Sequence, residues 1–195
     1  MKLAIFDFDG TISNRDSFED FIFFSNGEFK TTLGLFQELP ALLGYLFGAM
    51  SNSEAKQKIF SRFFHGWPEE RFNSIARAYA KDRLPTILRP QAMAKIAWHK
   101  KEGHKIVVVS ASFKNYLKPW CDAHGLALLS TEVEIKDNKL TGHFSTQNCH
   151  GEEKVKRIKA AYNLKDFEFI YTYGDTKGDL PLKQISNAFH YKLFR

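Results

Sequence analysis

Two aspartates, Asp7 and Asp9, follow directly on the apolar run Leu3-Ala4-Ile5-Phe6. In extended backbone, residues i and i+2 point the same way, so both carboxylates reach one pocket. Two anions that close repel unless a cation lies between them or one holds a proton. A divalent ion such as Mg2+, which takes oxygen ligands and keeps some of its waters, meets that need. Gly10-Thr11 comes next, and its backbone N–H groups are expected to face an anionic oxygen. Ser110 closes a second apolar run, residues 106–109, before a helix expected to start near Ser112; a hydroxyl beside a helix N-terminus suits a phosphate oxygen. Lys154, in Gly151-Glu152-Glu153-Lys154-Val155, opens another helical pattern and can neutralise a phosphoryl group. Gly174-Asp175-Thr176-Lys177-Gly178-Asp179 adds two acids four apart, one suited to a metal and one to orienting metal-bound water. Taken singly, these read as an acidic turn, an N-cap, a surface lysine and a glycine-rich turn. Taken together, each lies at a strand end or opens a helix beside one, so all four can converge on one crevice.

The elements that must position them alternate. Leu3–Phe6, residues 106–109 and Phe167–Tyr171 read as strands apolar on both faces, as in a buried parallel sheet. Between them run helical stripes: Met93, Ile96 and Ala97; then Phe113, Tyr116, Leu117, Trp120 and Cys121 before Gly125; then Val155, Ile158 and Tyr162. Strands alternating with helices predict an α/β, Rossmann-like core around a parallel sheet. Residues 14–86 break the rhythm, with no good strand and 11 of the 19 phenylalanines. They predict a helical insertion after the first strand, with Pro85 and Pro90 marking the return. The expected organisation is a core of 1–13 and 87–195 and a cap of 14–86. Val133, Ile135 and Leu140 around Asp137-Asn138 predict a β-hairpin flap.

Composition narrows the class. Hydrophobic residues make up 44% and charged residues 26%, which excludes disordered and collagen-like chains. The two cysteines, Cys121 and Cys149, form no CxxC, so neither a zinc knuckle nor a dithiol motif is available. The net charge of +6 falls outside the cap, where nine basic residues balance nine acidic ones. No Lys/Arg run or basic recognition helix accompanies it, and a nucleic-acid partner is not expected. Two carboxylates within the first nine residues rule out a secretory h-region there, and the cytoplasm is the expected compartment. Residues 39–53 carry no charge, with Leu39, Leu42, Leu43, Leu46, Phe47 and Met50 on one helical face. That stretch is too short to span a bilayer comfortably and reads as a buried cap helix or as a surface touching lipid or a partner.

Asp7-Phe8-Asp9-Gly10-Thr11, Val109-Ser110-Ala111-Ser112, Lys154, and Gly174-Asp175 with Asp179 together resemble the motif set of the haloacid dehalogenase (HAD) superfamily of phosphohydrolases. The helical insertion after the first motif resembles the branch containing phosphoserine phosphatases and the related subfamily IB hydrolases. The resemblance implies Asp7 as the nucleophile that becomes an aspartyl phosphate, and Asp9 as general acid and then base. It implies Mg2+ held by Asp7, the backbone carbonyl of Asp9, and Asp175, with Asp179 binding through water or behind it. Ser110 and Lys154, with N–H groups near Gly10, Thr11 and Ala111, would hold the phosphoryl oxygens, and Asp16 and Ser17 lie where the branch often senses its substrate. Phosphoserine phosphatases usually carry Ser-Gly-Gly where this chain has Ser110-Ala111-Ser112, Ser where Gly10 stands, and Asn where Gly178 stands. These departures favour the wider subfamily, acting on a small phosphomonoester. A lipid phosphatase of the phosphatidylglycerophosphate type, a phosphotransferase and a non-catalytic phospholigand-binding module stand as alternatives.

Overall fold

The computed structural model describes residues 1–39, 43 and 47–195. A five-stranded sheet with the order β3-β2-β1-β6-β7 forms its centre, all neighbouring strands parallel. The strands are β1 (Lys2–Phe6), β2 (Lys105–Phe113), β3 (Ala127–Thr131), β6 (Phe169–Gly174) and β7 (Ala188–Tyr191). The alternation in β1 shows why it lies in the middle. Leu3 and Ile5 enter one apolar cluster with Val107, Val109, Val155, Ile158 and Leu182, while Ala4 and Phe6 enter the other with Val108 and the aromatic residues of the helices. A strand buried on both faces needs both sets.

From β1 the chain builds β2 and then β3 on one side, then crosses to build β6 and β7 on the other. The reversal leaves a crevice at the C-terminal ends of β1, β2 and β6, where open α/β sheets bind ligands. Helices α1 (Ser17–Asn26), α2 (Glu28–Gln37), α3 (Asn52–Phe64) and α4 (Glu69–Ala78) come between β1 and α5 (Pro90–Lys101), as the helical insertion predicts. Phe21, Phe60, Phe64, Phe72 and Tyr79 are buried and pack against one another, Phe21 stacked on Phe64 and the other pairs edge-to-face or tilted. Asp20, buried on α1, accepts from Arg83 Nη2 at 2.7 Å and from the Tyr79 hydroxyl at 3.1 Å, which ties α1 to the π-helical turn after α4. The 133–144 hairpin forms as expected, with β4 (Val133–Lys136) and β5 (Lys139–Phe144) joined through Asp137 and Asn138, both at positive φ. A type I′ turn demands that backbone.

Two boundaries differ from expectation. The second strand runs through Ser110–Ser112 to Phe113, with a register shift against β3 over this stretch, and α6 (Lys114–Ala123) begins only at Lys114. The third strand starts at Phe169 rather than Phe167: the Phe167 amide closes the 3-10 turn over Leu164–Asp166 on the Leu164 carbonyl, and the Glu168 amide donates to the Met1 carbonyl. Of the apolar face in 39–53, Leu42 and Leu46 lie outside the described residues, and Leu39, Leu43 and Phe47 are exposed. Among the described residues, no helix is long and apolar enough to cross a membrane. Cys121 and Cys149 are free and buried.

Candidate active site

Asp7 is the first residue beyond β1, and its N–H still donates to the Tyr173 carbonyl of β6 at 2.9 Å. Its carboxylate is buried; Oδ2 accepts from the Thr11 hydroxyl at 3.2 Å and Oδ1 from Lys154 Nζ at 2.5 Å. Lys154 stands in the first turn of α7 (Glu152–Ala161), which starts after Gly151 at φ +61°, and it donates equally to Asp179 Oδ1 at 2.6 Å. Asp179 Oδ2 accepts from the Asp175 and Thr176 amides and the Thr176 hydroxyl at 2.8–3.1 Å. Burial pushes the Asp7 carboxyl well up, against the opposing pull of Lys154. At Lys154 burial acts downward, but Asp7 and Asp179 outweigh it and raise the ammonium's pKa. At Asp179 burial acts upward, yet Lys154 and the Thr176 donors hold it low. Lys154 is therefore an ammonium shared by two acids, of which Asp179 is held ionised while burial works against the charge on Asp7.

Asp175, at the end of β6, completes the floor. Carboxylate oxygens of Asp7, Asp175 and Asp179 lie within 4.8 Å of one another. Asp175 Oδ1 is sealed from solvent with no hydrogen-bond partner among the described residues, while Oδ2 accepts from Arg195. A buried carboxylate oxygen without a donor is costly, and a hard cation held by oxygens alone resolves it. The residues fit a divalent ion of the Mg2+ type. The carboxylate of Asp9 lies outside this cluster, turned toward α1 and β2. Its Oδ1 accepts from the Ser17 amide at 2.8 Å and its Oδ2 from the Ser112 hydroxyl at 2.6 Å. Burial and then Asp16 push its carboxyl up, which favours its protonated form.

Above this floor opens a cavity of about 410 Å3, lined in part by Asp7, Asp9, Asp16, Ala111, Lys154 and Gly178. Asp16 borders it, with Oδ1 committed to capping α1 through the Phe18 and Glu19 amides. Ser17 does not reach the cavity; its amide holds Asp9, and its hydroxyl donates to Ser112 at 3.0 Å. Ser110 is fully buried and accepts from the Ser112 amide at 3.0 Å, leaving its own proton to donate. The amides of Gly10 and Thr11 are used within their own turn, on Ser13 Oγ and the Phe8 carbonyl, and are not free for an oxyanion as expected. The turn closes on itself because Thr11, Ile12 and Ser13 all donate to Phe8.

Four residues take places at the site that the sequence does not assign them. Ser112, beyond the strand expected there, lies on the bulged end of β2, where its hydroxyl reaches Asp9. Lys56 comes from the insertion. A capping box of Ser51 and Glu54 starts α3 at Asn52, so Asn52 and Lys56 share a face and both line the cavity. Lys56 Nζ donates to the Ala111 carbonyl at 2.8 Å and lies 5.1 Å from the Phe18 ring. His150, exposed, borders both this cavity and an adjoining polar groove. A Cβ at Gly178 would come within 2.2 Å of the His150 ring, which accounts for glycine at that position. Arg195 is the fourth.

Residues 4–184 match the haloacid dehalogenase-like hydrolases. The chain belongs to that family. Protein CicA of Caulobacter vibrioides is 31% identical over 195 residues, which cover 99% of this chain and 86% of that protein. A probable phosphatase of Mycobacterium tuberculosis is 29% identical over 92% of this chain and 64% of its own. A solved phospho-aspartyl intermediate analogue of phosphoserine phosphatase superposes with a TM-score of 0.64 at 21% identity, covering 96% of this chain and 84% of that one; at that identity the likeness speaks for the fold.

Proposed function

We propose that this HAD-family hydrolase is a Mg2+-dependent phosphatase that cleaves a small phosphomonoester through an aspartyl phosphate on Asp7. The observation that carries the reading is the shared ammonium of Lys154, 2.5 Å from Asp7 and 2.6 Å from Asp179, beneath a cavity opening onto Asp7 and Asp9. Family membership and the named activities of the relatives support it. Asp7, Asp175 and Asp179 would hold the metal, whose charge would neutralise the transferring phosphoryl group. The Asp7 carboxylate forms a bond to phosphorus as the ester oxygen leaves, and Asp9 gives that oxygen its proton. Asp9, now ionised, takes a proton from the water that attacks phosphorus, inorganic phosphate departs, and Asp7 returns to a carboxylate. Lys154 balances charge on the phosphoryl oxygens, and Ser110 supplies its free hydroxyl proton from below. Ser17 and Ser112 aim Asp9, while Lys56 brings a second cation from the insertion to the mouth of the cavity. Phosphoryl transfer depends mainly on such positioning and charge neutralisation. In this reading residues 14–86 are the cap that closes over a core of 1–13 and 87–195, excluding bulk water from the cavity.

A lipid monoester is the second reading. Phe29, Leu33 and Phe36 are exposed on one face of α2, and Phe47 is exposed beyond it. The test is phosphate release from an aryl phosphate with Mg2+, wild type beside Asp7→Asn, followed by phosphoserine, sugar phosphates and lysophosphatidate. Release lost in EDTA and in Asp7→Asn, with the variant still unfolding cooperatively, is the expected result. Undiminished turnover by folded Asp7→Asn overturns the covalent mechanism. Preference for the micellar lipid over every water-soluble ester selects the second reading.

A further inference from the structure

We propose that Arg195 is a positioning residue for the metal site, one end of a two-arginine strap that turns Asp175 so that one oxygen alone faces the cation. The inference rests on the acidic cluster being the Mg2+ site. Its observations lie outside that cluster. Arg195 donates to Asp175 Oδ2 and leaves Oδ1 as the buried oxygen without a partner among the described residues. The carboxylate is thereby drawn flat against Gly10, where a Cβ would lie 2.4 Å from Oδ2 and 2.7 Å from Oδ1. Gly10, at φ +79°, is the residue that makes room for it.

The segment bearing Arg195 is itself anchored. The Lys192 amide donates to the Gly174 carbonyl at 2.8 Å, next to Asp175 in the chain. Phe194 is buried and stacks on Tyr173 at 5.5 Å. Arg89, the residue before α5, gives Nη1 to the Phe194 carbonyl at 3.1 Å and Nε to the carbonyls of Gly10 and Ser13 at 3.2 and 3.1 Å. One arginine thus fastens the strap to the Asp7–Ser13 turn, and the other fastens it to Asp175. The same two loops carry the candidate ligands Asp7 and Asp175, so the strap sets their separation.

Arg195 acts on the metal in two opposing ways. Its positive charge disfavours a nearby cation, and its hydrogen bond orients the ligand. The side chain is 50% exposed, so solvent weakens the charge effect. Groups that orient a metal ligand change metal affinity by roughly 10–100-fold when removed. Orientation therefore wins, and loss of Arg195 weakens Mg2+ binding.

The test compares wild type, Arg195→Ala and Arg195→Gln, which keeps a donor without the charge. Two Mg2+ titrations are read: turnover of an aryl phosphate, and the rise in melting temperature without substrate. The expected result is a Mg2+ midpoint raised about tenfold or more in both titrations for Arg195→Ala, with turnover at saturating Mg2+ within about threefold of wild type. Arg195→Gln, and it alone should Arg195→Ala not fold, lies between the two. A purely structural role lowers the metal-free melting temperature but leaves both midpoints in place, and that result overturns the proposal. So does a tighter midpoint, which would make the charge the stronger effect. A wild type that hydrolyses the ester without any Mg2+ response refutes the metal site and this proposal together and leaves a phosphatase without Mg2+ dependence; one that responds to Mg2+ without hydrolysis refutes only the phosphatase reading.

Discussion

Replacing Lys154 with Met removes the ammonium that Asp7 and Asp179 share while keeping most of the side chain's volume. The side chain is 3% exposed, so water does not step in. Breaking a buried ion pair by removing one partner costs about 3–5 kcal/mol. A second route gives a similar figure. If one of the two orphaned carboxyls takes up a proton instead, holding it protonated at pH 7.5 against a reference pKa of 3.8 costs about 5 kcal/mol, at 1.36 kcal/mol per pH unit. The sign follows from that proton. A carboxyl whose pKa rises on folding makes the folded state bind more protons, so the variant loses stability as pH rises from about 4 upward. Urea denaturation in EDTA should therefore show a deficit of about 3–5 kcal/mol at pH 7.5, a fall in melting temperature of about 6–20 °C. The deficit should shrink toward pH 4.5, and turnover should be lost at all pH values. A deficit under about 1 kcal/mol at pH 7.5, or one of equal size at pH 4.5 and 7.5, would refute the charge argument and leave only packing.

Three other outcomes are expected. Gly10→Ala forces a side chain at φ +79° into the Asp175 carboxylate, at about 1–2 kcal/mol for the backbone and about 1–3 for the contact, so urea denaturation should show a loss of about 2–5 kcal/mol. Ser112→Ala removes the 2.6 Å hydrogen bond to Asp9, a bond to a charged group worth about 1.5–3 kcal/mol. Its kcat should fall about 10–100-fold, with the melting temperature lowered by about 3–12 °C; an unchanged kcat would separate Asp9's aim from the reaction. His99 is fully buried between the His104 ring and the Tyr173 hydroxyl, and burial pushes its pKa down to about 3. A depressed histidine contributes stability that is complete above its unfolded pKa of 6.5 and is lost as pH falls toward 3. Wild type should thus lose about 2 kcal/mol between pH 6.5 and 5, and His99→Gln should flatten that slope in pH-dependent unfolding.

The sequence by itself determined the chemistry that is local in the chain. Leu3–Phe6, apolar at every position, could only be a strand covered on both faces, and that fixed Asp7 at its open end. Asp175 and Asp179 are four apart on one glycine-flanked turn, so their placement followed from β6. Lys154 sits in the first turn of a helix whose stripe of Val155 and Ile158 settles which face packs on the sheet. Less was legible where the signal is weak or distant. β3 and β7 went unread because they are short edge strands, several of their residues only half-buried, without the continuous apolar run of a central strand. The end of β2 was misplaced because a bulge at Ser110–Ser112 has no periodicity to betray it. Tertiary structure alone decided which cations and hydroxyls meet the two aspartates. Lys56 reaches Ala111 across 55 residues, Ser112 reaches Asp9 across 103, and Lys154 reaches Asp7 across 147. Gly10 and Gly178 look like ordinary turn glycines until Asp175 and the His150 ring are seen filling the space beside them. Residue types and spacing specify what a side chain can do, but the partner that makes it do so is chosen by packing between segments the chain keeps far apart.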